Sequence, residues 1–332
     1  MSQTPVPDTL SVPDTASATD RPLLGILLML GFCATIPLGD AVAKLLSTRI
    51  PVGQIVFARF AAQAIILAPI AVLLGISLRL PASVLPMVIL RPLLQMAGIT
   101  AMFMALRFLP LADAVAIAFV MPFIMLLLGK FVLKEDVGLR RLAACVVGFI
   151  GTLLVIQPSF AEVGAHALWP LAVAVIFALF MLVTRQIARA TDPNAIQAVS
   201  GLIACALMLV IFALGQAFAI TELSLAAPAA PELRLLVLAG VLGTGAHLLM
   251  TWSLRYAPTS TLASMQYLEI PVAVLVGWVV FAELPDWIAA CGIPLTVGAG
   301  LYAAVREGHA SRRAAATRGR GATATGLPAS PE

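Results

Sequence analysis

The residues of this chain that can do chemistry are few, and several lie inside long apolar runs. Glu269 stands nine residues into an apolar stretch that begins near 260. At 1.5 Å per residue its carboxyl lies about 14 Å along a helix, close to the middle of a bilayer's hydrocarbon core. A carboxylate at that depth is costly and usually functional, as a proton carrier or as the partner of a cationic solute. The bland alternative is a neutral carboxylic acid bonded to a neighbouring helix. His247 lies at similar depth one helix earlier, where it can titrate, hydrogen-bond a solute or simply pack. Gln266 and Tyr267 adjoin Glu269, but neighbours on a helix point about 100° apart, so the three cannot all face one space. Gln95 and Thr100 are further polar positions in an apolar run.

A second group gathers nearer one membrane face. Asp40 and Lys44 are four residues apart, on one side of a helix, and can pair. Arg59 enters from the same face on the next helix, and Asp113 opens a later one. Asp40, Lys44, Arg59 and Asp113 read as a charge cluster: a gate that breaks when a cavity opens outward, or a static lock between helices.

None of these patterns is a catalytic site. The three histidines, His166, His247 and His309, are too dispersed for a zinc-binding His-Glu-x-x-His helix. The segment PLGD (37–40) lacks the first glycine of the intramembrane aspartyl protease motif, and there is no Gly-rich phosphate loop. The four cysteines sit singly in apolar runs and read as small hydrophobes, with no metal or disulfide spacing. No cofactor and no enzyme activity are expected; an intramembrane enzyme is the disfavoured rival.

The elements that position these residues follow from composition. Hydrophobic residues make up 61% of the chain and charged residues 11%, against about 25% charged in ordinary soluble domains. Such a chain must face lipid. Residues 1–21 and 306–332 are polar and read as disordered tails. Between them, turn signals and charges mark ten spans: 23–45, 54–75, 87–106, 111–131, 141–157, 168–185, 195–217, 234–254, 260–281 and 287–305. With the N-terminus in the cytoplasm, fifteen Lys and Arg fall inside and four outside, with Arg59 in a helix. The inside set includes Arg91 and Arg185, and both termini are cytoplasmic. The basic tail REGHASRRAAATRGRG reads as a contact to anionic headgroups, not as a nucleic-acid arm.

A phrase is written twice. Leu106, Arg107 and Pro110 recur as Leu254, Arg255 and Pro258, 148 residues later, and Glu135 meets Glu283 at the same offset. Each half then holds five helices, and an odd number of crossings inserts the second half upside down. That is the inverted-topology repeat of many secondary transporters. Pro122 and Pro271, one residue out of register, stand inside the fourth and ninth helices and are expected to kink them beside a cavity.

The segment LRFLPLADAVAIAFVMPFIMLLLGKFVLKEDVGLRRLAACVVGFIGTLLV (106–155) resembles the end of an EamA domain: a helix with a mid-proline (Pro122), a glutamate at its exit (Glu135) and a Gly-rich last helix (GFIG, 148–151). Pro271, Glu283 and GAG (298–300) repeat the pattern. GDAVAKLLSTRIPVGQIVFARF (39–60) resembles the front of such a domain, with Arg59 near the start of its second helix. The second half has no arginine matching Arg59. The resemblance implies the drug/metabolite transporter superfamily: an all-α membrane protein of ten helices in two inverted repeats, 22–158 and 166–305, in the bacterial inner membrane. It implies a small organic solute, amino-acid-like or vitamin-like, with multidrug or toxic-metabolite efflux the alternative; the candidate coupling ion, from Glu269, is a proton.

Overall fold

A computed structural model describes residues 21–78, 80–134, 138–156 and 164–283, with isolated positions between 291 and 302. Both tails, Glu135 and most of the span expected at 287–305 lie outside the described residues. The helices are α1 (Pro22–Ser47), α2 (Val52–Leu73), α3 (Leu85–Leu106), α4 (Leu111–Ala118), α5 (Met121–Phe131), α6 (Leu139–Ile156), α7 (Leu168–Ala190), α8 (Pro193–Ala217), α9 (Ala230–Tyr256), α10 (Thr259–Gln266) and α11 (Glu269–Phe281). Lipid leaves a backbone no solvent partner, so each segment satisfies its own hydrogen bonds as a helix. Among the described residues, α1, α2, α3, α7, α8 and α9 are long and apolar enough to cross a membrane. The protein is a multi-pass membrane protein.

The expected kinks fall at short breaks in the helices. The fourth span divides at Phe119–Val120 and the ninth at Tyr267–Leu268. Pro122 sits in the first turn of α5 and Pro271 in the first turn of α11, where a missing N–H costs nothing. Each proline excludes a hydrogen bond to the carbonyl four residues back, at Ala118, the last residue of α4, or at Tyr267, the residue after α10. The two breaks therefore keep the 148-residue register although the prolines do not: Leu111–Ala118 maps onto Thr259–Gln266 and Met121 onto Glu269.

Packing follows the same duplication. α1 lies along α9 as α3 lies along α7, and α2 meets α8. Of the broken helices, α4 packs on α11 while α5 packs on α10. Exchange of the two halves carries each of these pairs into another, or into itself. Small residues allow the close approaches, as is usual between membrane helices. A Cβ on Gly25 of α1 would lie 2.5 Å from the Ala257 Cβ just beyond α9, and one on Gly98 of α3 would lie 2.6 Å from the Phe177 ring of α7.

Candidate functional site

Where the two interruptions meet, the helices leave a cavity of about 50 Å³. A few water molecules would fill that volume, and ligand pockets run to about 300–1,000 Å³. A metabolite must therefore widen it. The first break contributes Phe119 and Met121, the second Glu269; α1 adds Phe32 and Asp40, α2 adds Arg59, α3 adds Phe103 and α7 adds Phe177. The wall is aromatic and apolar with three charged groups set into it.

Those groups are deeply buried: Asp40 is 5% exposed, Arg59 3% and Glu269 7%. Arg59 Nη1 lies 3.9 Å from Asp40 Oδ1, attractive but beyond hydrogen-bond length. Its guanidinium also stands over the Phe103 ring, 5.8 Å from the centroid, and Nη2 has no hydrogen-bond partner. Glu269 is the first residue of α11, so its carboxyl sits at a helix N-terminus that faces the cavity.

The cluster expected from Asp40, Lys44, Arg59 and Asp113 comes apart in the structure. Asp40 pairs with Arg59 of α2, not with Lys44 four residues on. Lys44 donates instead to Glu283 Oε1 at 2.5 Å and lies over Phe281. Glu283 Oε2 accepts the N–H of Leu111, capping α4, so α1, α4 and the exit of α11 are tied at one point. Asp113 is half-buried in the first turn of α4, off the cavity wall.

Other expected residues lie behind the wall. His247 is fully buried between Phe32, Phe177 and Phe180, and neither ring nitrogen has a hydrogen-bond partner. The Tyr267 hydroxyl donates to the Cys145 carbonyl of α6 at 3.1 Å. Gln266 Nε2 points at Met181 Sδ, 3.2 Å away. Gln95 is buried on α3 with its Oε1 unpartnered.

Sequence reasoning missed the polar node at the opposite end of the bundle. Arg91 and Arg185, counted among the cytoplasmic-side charges, are buried, at 0% and 2% exposure. Arg91 Nε donates to Thr184 of α7 at 3.0 Å and Nη1 to Ser200 of α8 at 2.8 Å. Nη2 donates to Gln197 Oε1 at 3.0 Å and to Thr251 of α9 at 3.2 Å. Arg185 donates to the carbonyls of Leu254 and Arg255 at the end of α9, where the helix dipole favours a cation. The Thr and Ser at 184, 200 and 251 were a usable signal: each is a hydroxyl within an apolar run.

Membrane helices interrupted in matched places beside a buried, charged cavity form the architecture on which secondary transporters are built. Residues 23–157, and again 165–304, match the EamA-like transporter family, and the chain belongs to it. It is 27% identical to a riboflavin transporter of Brucella anthropi, over 68% of this chain and 78% of that one. It is 25% identical to an S-adenosylmethionine uptake transporter of Rickettsia prowazekii, over 84% and 92%. A pseudopaline exporter of Pseudomonas aeruginosa is 24% identical over 82% and 93%. A solved crystal structure at 20% identity superposes with a TM-score of 0.65, covering 85% of this chain and 95% of the other, which shows a shared fold.

Proposed function

We propose that the protein carries a small amphipathic metabolite across the bacterial inner membrane by alternating access, using the cavity between the broken helices. Ten crossings in two inverted five-helix repeats, 22–158 and 166–305, form the carrier, and both tails lie in the cytoplasm. One observation carries this reading: Asp40, Arg59 and Glu269 are buried together in the wall of a cavity at the point where both repeats interrupt a helix. Charges buried at membrane depth beside a cavity are costly, and they commonly mark the path of a solute or an ion.

In this reading Glu269 is the coupling group, binding a proton on one side of the membrane and releasing it on the other. The solutes named for two relatives, riboflavin and S-adenosylmethionine, contain flat ring systems, which the phenylalanines of the wall would suit. The third relative is named an exporter, so direction is a matter for the assay and not for the fold.

Proteoliposomes holding purified protein test the reading. Exchange of labelled riboflavin or S-adenosylmethionine is expected in the wild type, in either direction, and faster under an imposed proton gradient. Glu269→Gln should slow it at least about tenfold, the equivalent of about 1.4 kcal/mol on the barrier. Vesicles of correctly folded protein that stay tight to both solutes, and to a wider panel of metabolites, would sink the proposal.

A further inference from the structure

Arg59 is a buried guanidinium with unmet donors. Its side chain is 4% exposed, Nη2 has no partner, and Asp40 Oδ1 stands 3.9 Å away. Guanidinium offers five N–H groups in a planar fork that fits a carboxylate or phosphate with two parallel bonds. The protein has made room for it. A Cβ on Gly243 of α9 would lie 2.3 Å from Arg59 Nε and 2.8 Å from Cζ. Any larger residue at 243 would push the fork off its present seat.

A second observation points the same way. α5 begins at Met121 and α11 at Glu269, and both residues line the cavity. Each half-helix therefore turns its N-terminus, the positive end of its dipole, toward the space that Arg59 faces.

Resting on the transport reading, we propose that the solute carries an anionic oxygen group, a carboxylate or a phosphate, and that Arg59 is the residue that binds it. Gly243 determines whether the fork is available. The anion replaces Asp40 as the nearest oxygen to the guanidinium, and a proton held by Asp40 or Glu269 balances the charge that enters. A neutral solute gains nothing from this arrangement, so the site selects acids over their uncharged analogues, and of the two solutes offered in the exchange assay S-adenosylmethionine, with its carboxylate, should be favoured over uncharged riboflavin.

Thermal unfolding of the purified full-length protein, with probes that share one ring, tests this. Benzoate and phenyl phosphate supply the two candidate anions; benzyl alcohol and benzylammonium are the neutral and cationic controls. At millimolar concentration one or both anions should raise the wild-type unfolding temperature, and the controls should not. Which anion acts separates carboxylate from phosphate. In R59Q the concentration needed should rise at least about tenfold, a lost charge-assisted pair. G243A, which keeps the charge and crowds it, should weaken binding less. The double variant R59Q/D40N removes the cation and its buried partner together, so a folded reference is available if R59Q alone is unstable. No response to either anion in the wild type, an equal response in R59Q, or a response to benzylammonium alone would overturn the proposal. Because the readout is binding, solute exchange that persists without an anion response leaves transport standing. Absent exchange with the anion response intact would instead remove the transport reading.

Discussion

Arg59 and Arg91 stand on neighbouring helices, α2 and α3, both shielded from solvent, and are held in opposite ways. Every nitrogen of Arg91 donates to a neutral oxygen, and those oxygens come from α7, α8 and α9. Its guanidinium also stands over Phe180, 4.7 Å from the ring centroid. Arg59 has a carboxylate close by and still leaves Nη2 unpartnered. The difference separates two uses of buried charge. A bundle can fold around a cation that hydroxyls and amides solvate, and such a cation is consumed by the fold. Unmet donors beside a cavity are what remain for a ligand. Burial alone does not tell the two apart.

The largest test of that contrast is Arg91→Met, which keeps the length of the side chain and removes its donors. Four helices lose a common node, and the Gln197 amide and the Ser200 hydroxyl lose the donor that holds them. Hydrogen bonds to a charged group contribute about 1.5–3 kcal/mol each, so a loss of about 3 kcal/mol or more is expected. Unfolding of wild type and variant in the same detergent measures it. A variant as stable as the wild type would mean that the node does not hold the bundle together, and the contrast with Arg59 would collapse.

His247 sharpens the comparison from between the two arginines, since it too is fully buried and its ring nitrogens have no partner. Removing an unsatisfied buried polar group recovers its desolvation cost, about 1–3 kcal/mol, less whatever the ring contacts with three phenylalanines contribute. His247→Leu is therefore expected to raise stability by about 1 kcal/mol while solute exchange continues. Higher stability with lost exchange would instead move His247 into the transport pathway.

How much of this was legible differs residue by residue. Glu269 stood out because it is a lone carboxylate in an apolar run; its place on the cavity wall depends on helix rotation, which helical rise does not determine. The 148-residue repeat located both broken helices, while the residues at which each breaks follow from backbone carbonyls that no side-chain pattern reports. Arg91 and Arg185 counted as cytoplasmic-side charges because they sit near helix ends on the basic side. A helix-end arginine can reach inward as well as outward, and the partners that turn Arg91 inward lie 93 to 160 residues away. Asp40 and Lys44 misled for a related reason. Spacing of four permits a local pair, but a carboxylate 239 residues distant takes the lysine.

That distant pair is the smallest of the expected effects and the most informative about the end of the bundle opposite Arg91. Lys44 and Glu283 are 16% and 28% exposed at their side chains, so water screens part of their attraction. Ion pairs in such settings contribute about 1 kcal/mol or less. Glu283 does more than pair: its Oε2 caps α4 through the Leu111 N–H, and Ala282 before it takes a left-handed backbone, φ 58°, to bring it there. Lys44→Met should then cost less than Glu283→Gln, because only the second weakens the cap as well. A double-mutant cycle separates the terms, with a coupling energy near the cost of Lys44→Met alone. Equal losses from the two single variants would show that the cap contributes nothing, and that this end is held by charge where the Arg91 end is held by neutral oxygens.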